Sequence, residues 1–190
     1  MTSGNLKVIV VGSGLAGLTA ARVLRVHHSV TVYEQGAKSV ATGGQGIMIG
    51  PSSVKILDTV EFQRDLAGAV PIHDSRTFIN GGMHEKPGTD YKIRFGQDAL
   101  AIKRSDFRDE LMRLATTDEG PGEPVTMIYE KKVTGLDCDK GIVELSDGAT
   151  DSADVVISQF ILQLCLLNQN ANVISRRWSS LSPPERAPPI

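Results

Sequence analysis

Lys7-Val8-Ile9-Val10-Val11, then Gly12-Ser13-Gly14-Leu15-Ala16-Gly17, and, after a helical pattern, Ser29-Val30-Thr31-Val32-Tyr33-Glu34-Gln35: the reading of this stretch decides the fold. The first five residues form a short β-branched run of the kind buried on both faces of a parallel sheet. The turn that follows has the spacing G-x-G-x-x-G. Gly12 allows a tight turn, Gly14 lets a pyrophosphate approach the backbone, and Gly17 lets the next helix lie close to the strands. The unpaired N–H groups and dipole at that helix's start favour an anion without a basic side chain. In the helix, Ala16, Ala20, Val23 and Leu24 predict a packing stripe of small residues, with Arg22 and Arg25 off it. Glu34 ends the second run at about the 20-residue offset expected of a ribose-binding acid. A carboxylate there binds ribose hydroxyls and repels a 2′-phosphate, which favours FAD or NAD over NADP. Strand, turn, helix, strand and acid in register predict a dinucleotide-binding βαβ unit in a parallel α/β sheet.

Composition is consistent with this. The chain has 190 residues, 41% hydrophobic and 22% charged, which suits one sizeable core. A net charge of -2 gives no electrostatic case for nucleic acid or an anionic membrane. Cys138 and Cys165 have no metal-ligating spacing, and neither do His27, His28, His73 and His84; no metal site is expected. His27 and His28 follow the first helix, where an imidazole suits the negative helix end. The apolar stretch Val155–Leu167 is interrupted by polar residues and is shorter than the roughly 20 residues of a membrane span. With no export signal before the first strand, a cytoplasmic location is expected.

Beyond Glu34, Gly36–Gly46 reads as a loop and Gln45–Gly50 as extended chain. Pro51-Ser52-Ser53 starts a helix carrying Val54, Ile56, Leu57 and Val60, with Phe62 and Leu66 as a possible continuation. Ser75–Asn80 and Tyr91–Phe95 predict the two strands of a hairpin. Ser105 caps a helix to Ala115, with Phe107, Leu111 and Leu114 on one face. Val125–Tyr129, Lys132–Cys138, Ile142–Leu145 and Ala153–Ile157 predict strands, the last a buried parallel one, with a turn at Asp147-Gly148.

Four blocks, Val11–Leu18, Val32–Gln35, Gly46-Ile47-Met48-Ile49-Gly50-Pro51 and Ile102-Lys103-Arg104-Ser105-Asp106-Phe107-Arg108, resemble FAD-dependent monooxygenases of the aromatic hydroxylase (p-hydroxybenzoate hydroxylase-like) type. The resemblance covers about Leu6–Ile157. It implies a Rossmann-like FAD-binding βαβ domain with a parallel sheet and an added antiparallel hairpin or meander. It also implies FAD as cofactor, NAD(P)H as co-substrate, and a small organic substrate to hydroxylate or epoxidise. Position by position it places Gly12, Ser13, Gly14, Leu15, Ala16 and Gly17 at the pyrophosphate, and Glu34 with Gln35 at the adenosine ribose. Arg104 is placed at the flavin's phosphate and ribityl region, Gly46 near the flavin, and Val133 at adenine. No catalytic side chain is implied, because the oxygen chemistry belongs to the cofactor. Met48, Phe78 and Phe95 are expected in core packing.

After Ile157 the family pattern expects Gly-Ala-Asp-Gly, where this sequence has Ser158-Gln159-Phe160-Ile161. The expected organisation is therefore an incomplete FAD-binding domain over 1–158 and an atypical, poorly ordered tail over 159–190. The reading from a different class is a non-catalytic nucleotide-binding remnant.

Overall fold

A computed structural model describes residues 4–38, 44–76, 78–79, 82–83, 88–158 and 165–166. Strand β1 (Lys7–Val11) runs into helix α1 (Leu15–Leu24) and returns as β2 (Ser29–Tyr33), parallel to β1 with Val8 opposite Val30 and Val10 opposite Val32. This is the predicted βαβ unit. There follow β3 (Gly46–Ile49), α2 (Pro51–Thr59), β4 (Val70–Ile72), β5 (Asp74–Ser75), β6 (Phe78–Ile79), β7 (Gly82–Met83) and β8 (Thr89–Asp90). Next come α3 (Tyr91–Phe95), β9 (Ala99–Lys103), α4 (Arg104–Thr116), β10 (Thr126–Ile128), β11 (Val133–Asp137), β12 (Ile142–Leu145), β13 (Thr150–Ser152), β14 (Val155–Ser158) and β15 (Cys165–Leu166).

The main sheet has the order β10-β2-β1-β14-β15, with β10, β2, β1 and β14 parallel and β15 antiparallel. After β2 the chain places β10 on the far side of β2, then crosses to place β14 on the other side of β1. Strand order therefore reverses beside β1, and in open α/β sheets ligands bind at the carboxyl ends of the strands at such a point.

Alternation along β1 assigns the two faces of this sheet. Val8 and Val10 pack with Val30, Val32, Ala21 and Ala115 on the helical side. Ile9 packs with Tyr33, Val143, Leu145 and Val156 beneath the antiparallel meander β11-β12-β13. Both faces are covered, which is why the runs read as continuous apolar stretches. A third cluster joins the helices to the antiparallel sheet β3-β9-β4 through Leu18, Leu57, Phe62, Ile102, Phe107 and Leu111; the Phe62 and Phe107 rings meet edge to face at 5.2 Å.

Several expectations are corrected. The buried face of α1 is Gly17, Leu18, Ala21 and Arg22, with Arg25 1% exposed just beyond it, whereas Val23 is 48% exposed. The arginines went inside because they have partners there: Arg25 donates to the carbonyls of Leu114 (2.8 Å), Ala115 (3.0 Å), Thr117 (2.8 Å) and Gly122 (3.1 Å), and Arg22 pairs with Glu61 at 3.2 Å. A guanidinium with five donors can satisfy the orphan carbonyls at the end of α4.

Tyr91–Phe95 is a helix, not a strand. Asp90 caps it by accepting the Ile93 N–H at 2.8 Å, and Gly96 ends it in the left-handed conformation at φ 71°. The hairpin expected there pairs Asp74 with Asp90 and Ser75 with Thr89, and further out Phe78 with Met83 and Ile79 with Gly82. Helix α2 stops at Thr59, where Glu61 takes φ 63°; Phe62 is buried beyond it and Leu66 exposed. Ser105 does not cap α4, which begins at Arg104; its hydroxyl donates to Asp106 instead. Strand β13 was not expected. Met48 and Phe95 are exposed rather than in the core, and the side chain of Phe78 lies outside the described residues. The reading of 159–190 as a poorly ordered tail lies outside the described residues except at Cys165–Leu166.

Candidate dinucleotide site

The carboxyl ends of β1, β2 and β14 open into a cavity of about 690 Å³. Its lining comprises Gly12, Gly14, Glu34, Gln35, Ser158 and residues of the Lys131–Leu136 segment. The size is that of a small-molecule pocket. The glycine-rich turn is built by backbone necessity. Gly12 stands at φ 99°, which disfavours any other residue, and its N–H donates to the Tyr33 carbonyl at 2.8 Å, tying the turn to the end of β2. A Cβ on Gly17 would stand 2.1 Å from the Gly12 carbonyl oxygen, so only glycine lets α1 start this close to the turn.

Glu34 closes the arrangement from β2. One carboxylate oxygen accepts from both the N–H and the hydroxyl of Ser13, each at 2.7 Å; the other accepts from the Gly36 N–H at 2.8 Å. Burial alone would push this carboxyl up, but those donors, joined by the nearby Arg108 guanidinium, outweigh it and hold Glu34 below the usual carboxylate range. It is an anion at neutral pH. A carboxylate offers about four acceptor positions, and three are used by these donors. What remains open is on the oxygen shared with the Gly36 N–H, and Glu34 lines the cavity.

Arg108 was missed by the sequence reading. From the second turn of α4 its Nε donates to the Ser13 carbonyl at 3.1 Å and its terminal nitrogen to the Ser13 hydroxyl at 2.9 Å. Ser13 is 1% exposed as a result. Tyr129 stands in the same neighbourhood, its hydroxyl 3.7 Å from the Met112 sulfur; burial and then the Glu34 charge push the phenol up, against the pull of Arg108. The only sequence signal for Arg108 was its position four residues after Arg104, on the same helix face.

The structure thus gathers Gly12, Ser13, Gly14, Glu34, Gln35 and Val133 about one cavity. Leu15, Ala16 and Gly17 form the first turn of α1, where Leu15 packs toward the helical core and Ala16 is exposed. Gly46 and Arg104 are brought together elsewhere. Gly46 pairs with Lys103, and the Arg104 N–H donates to the Gln45 carbonyl at 2.8 Å. Among the described residues nothing stands within 4 Å of a Cβ built on Gly46. No cluster of metal ligands occurs among the described residues, and no described helix is long and apolar enough to cross a membrane.

Comparison with known proteins agrees with this geometry. Residues 10–45 match the NAD(P)-binding Rossmann-like domain family. The chain is 28% identical over 189 residues to hispidin-3-hydroxylase of Neonothopanus nambi, covering 92% of this chain and 44% of that protein. It is 34% identical over 160 residues to 6-hydroxynicotinate 3-monooxygenase of Pseudomonas fluorescens, covering 80% of this chain and 39% of that one. In fold it is similar to the tetrameric form of 2-methyl-3-hydroxypyridine-5-carboxylic acid oxygenase, with a TM-score of 0.64 at 21% identity over 81% of this chain and 38% of the other. The chain therefore spans about two fifths of the length of the relatives it matches.

Proposed function

We propose that this chain binds FAD as the dinucleotide-binding domain of an NAD(P)H-dependent flavin monooxygenase acting on small organic substrates, and that this domain comprises residues 1–158. The observation that carries the reading is the ionised Glu34 carboxylate, hydrogen-bonded at 2.7 Å to Ser13 of the Gly12–Gly17 turn at the edge of the cavity. The residues present fit an adenine dinucleotide: a turn whose glycines leave the backbone open to a phosphate, an anionic acceptor for a ribose diol, and a cavity next to both.

In this reading the turn Gly12, Ser13, Gly14, Leu15 and Ala16 receives the pyrophosphate through the N–H groups of Gly14, Leu15 and Ala16 at the α1 N-terminus, those of Gly12 and Ser13 being committed to Tyr33 and Glu34. Gly17 keeps that terminus in place. Glu34 and Gln35 hold the adenosine ribose, and Val133 borders the adenine. Lys131, Lys132 and Thr134–Leu136, on the same wall, complete the adenine side of the cavity. Gly46 on β3 and Arg104 at the start of α4, joined through the Gln45 carbonyl, serve the flavin and ribityl portion. FAD, when bound, supplies the redox and oxygen chemistry. The protein's share at this end is to bind and orient. A cytoplasmic location, where Cys138 and Cys165 would stay reduced, completes the reading.

Expression of residues 1–190, reconstitution with FAD and a visible spectrum after desalting test the reading. Flavin absorbance retained near one equivalent is expected, and loss of all flavin contradicts it. The same sample, assayed for NAD(P)H oxidation, separates an active oxidoreductase from a nucleotide-binding module. The second reading, a non-catalytic remnant, is favoured by Ser158-Gln159-Phe160-Ile161 standing where the resemblance expects Gly-Ala-Asp-Gly.

A further inference from the structure

We infer that Arg108 is a positioning residue of the dinucleotide site: from α4 it fixes Ser13, and through Ser13 it aims the Glu34 carboxylate at the ribose. The inference rests on the FAD reading above. Arg108 does not line the cavity. Its contacts are to the turn itself, with Nε on the Ser13 carbonyl at 3.1 Å and a terminal nitrogen on the Ser13 hydroxyl at 2.9 Å. A guanidinium has donors and no acceptor, so the serine oxygen must accept from Arg108 and its single proton must go elsewhere. The available acceptor is Glu34, at 2.7 Å. The direction of the chain Arg108 to Ser13 to Glu34 is thus set by chemistry.

Two consequences follow for Glu34. One of its oxygens is held by the Ser13 N–H and hydroxyl, which fixes the carboxylate plane and leaves the other, shared with the Gly36 N–H, for a ligand. Its negative charge is also balanced from behind by a guanidinium that is itself largely shielded from water, where such a charge is screened little. Among the described residues, the other ionisable groups near the carboxylate include Tyr129, whose hydroxyl faces Met112, Glu130, whose N–H donates to the Gly36 carbonyl, and Lys131 and Lys132 on the cavity wall, the former paired with Asp147. None of them touches Ser13. The other carboxylate near Arg108, exposed Asp109 at 4.0 Å, is too distant to compete for the fork.

The test follows the Glu34 carboxyl by ¹³C NMR against pH in the apoprotein, and FAD affinity by quenching of flavin fluorescence, in wild type, R108Q, R108K and E34Q. Loss of the Arg108 charge in R108Q should raise the Glu34 midpoint above that of the wild type. FAD should bind about tenfold more weakly, the effect of losing one hydrogen bond to a charged group. R108K, which keeps the charge without the fork, should keep the midpoint near wild type yet lose part of the affinity. In the E34Q background the same R108Q change should alter FAD affinity by less than about twofold, since the group it acts through is gone. Circular dichroism confirms that each variant is folded, and R108K carries the comparison if R108Q is not. An unchanged Glu34 titration in R108Q, or equal losses of affinity with and without Glu34, overturns the inference. Failure of wild type to bind FAD overturns the cofactor reading instead, and the Glu34 titration then decides the Arg108 claim alone.

Discussion

Glu34 is where sequence position, electrostatics and ligand chemistry meet. Because its carboxyl is held below the usual range, its ionised form is the one the fold stabilises. That contribution is fully present above the ordinary value of about 4.3 and is lost as pH falls through the lower, folded value. Binding of FAD should decline over the same acid window. Glu34→Ala should weaken FAD by about 2 kcal/mol, read from a fluorescence titration, through loss of a charge-assisted acceptor. Tyr33 gives the opposite limb. Burial, then the hydrogen bond to Asp151 at 2.9 Å and that residue's charge, push its phenol up to about 12. A raised pKa stabilises the fold fully below the ordinary value of about 10 and ceases to do so as pH rises through about 12. Urea midpoints measured between those values should fall in wild type and fall less in Tyr33→Phe. The legible part of the site was the part carried by the backbone: glycines at fixed spacing and an acid at a fixed offset. Arg108 was not legible, because its meaning depends on a contact with Ser13, 95 residues away in the chain.

At the scale of elements, α1 shows what periodicity can and cannot tell. Its helical character was evident, but its buried face was read one step away from the true one, because arginine was assumed to belong outside. Arg25 is buried by virtue of four carbonyl acceptors contributed by the end of α4 and the loop after it. Arg25→Met should therefore destabilise the fold by about 3 kcal/mol in urea denaturation, since the side chain's packing is replaced but buried carbonyls lose their donors. Gly17→Ala should cost about the same or more by forcing α1 off the Gly12 carbonyl, and should abolish FAD retention along with it. Tyr91–Phe95 was misread for a related reason. Its alternating apolar residues suit a strand, but Asp90 and Gly96 supply a cap at each end, and local capping prevailed.

On the scale of the whole molecule, the parallel sheet, strands β11 and β12 of the meander and helices α1, α2 and α4 were predictable because each obeys a periodicity or turn rule. The unexpected strand β13 and the pairing across β9 depend on long-range register, which no local pattern encodes. On the FAD reading proposed above, the features assigned to adenosine lie at the reversal of strand order, with Gly46 on β3 and Arg104 at the start of α4 set apart from them. On that reading most of the binding features address the AMP half of FAD. The most direct test is to titrate the desalted apoprotein with FAD and with FMN, which lacks that half, following flavin fluorescence, and to repeat the FAD titration in the presence of ADP. The account predicts saturable FAD binding that ADP competes away, and FMN affinity weaker by about a hundredfold or more, the equivalent of losing about 3 kcal/mol of AMP contacts. FMN binding as tight as FAD, or FAD binding indifferent to ADP, would contradict it.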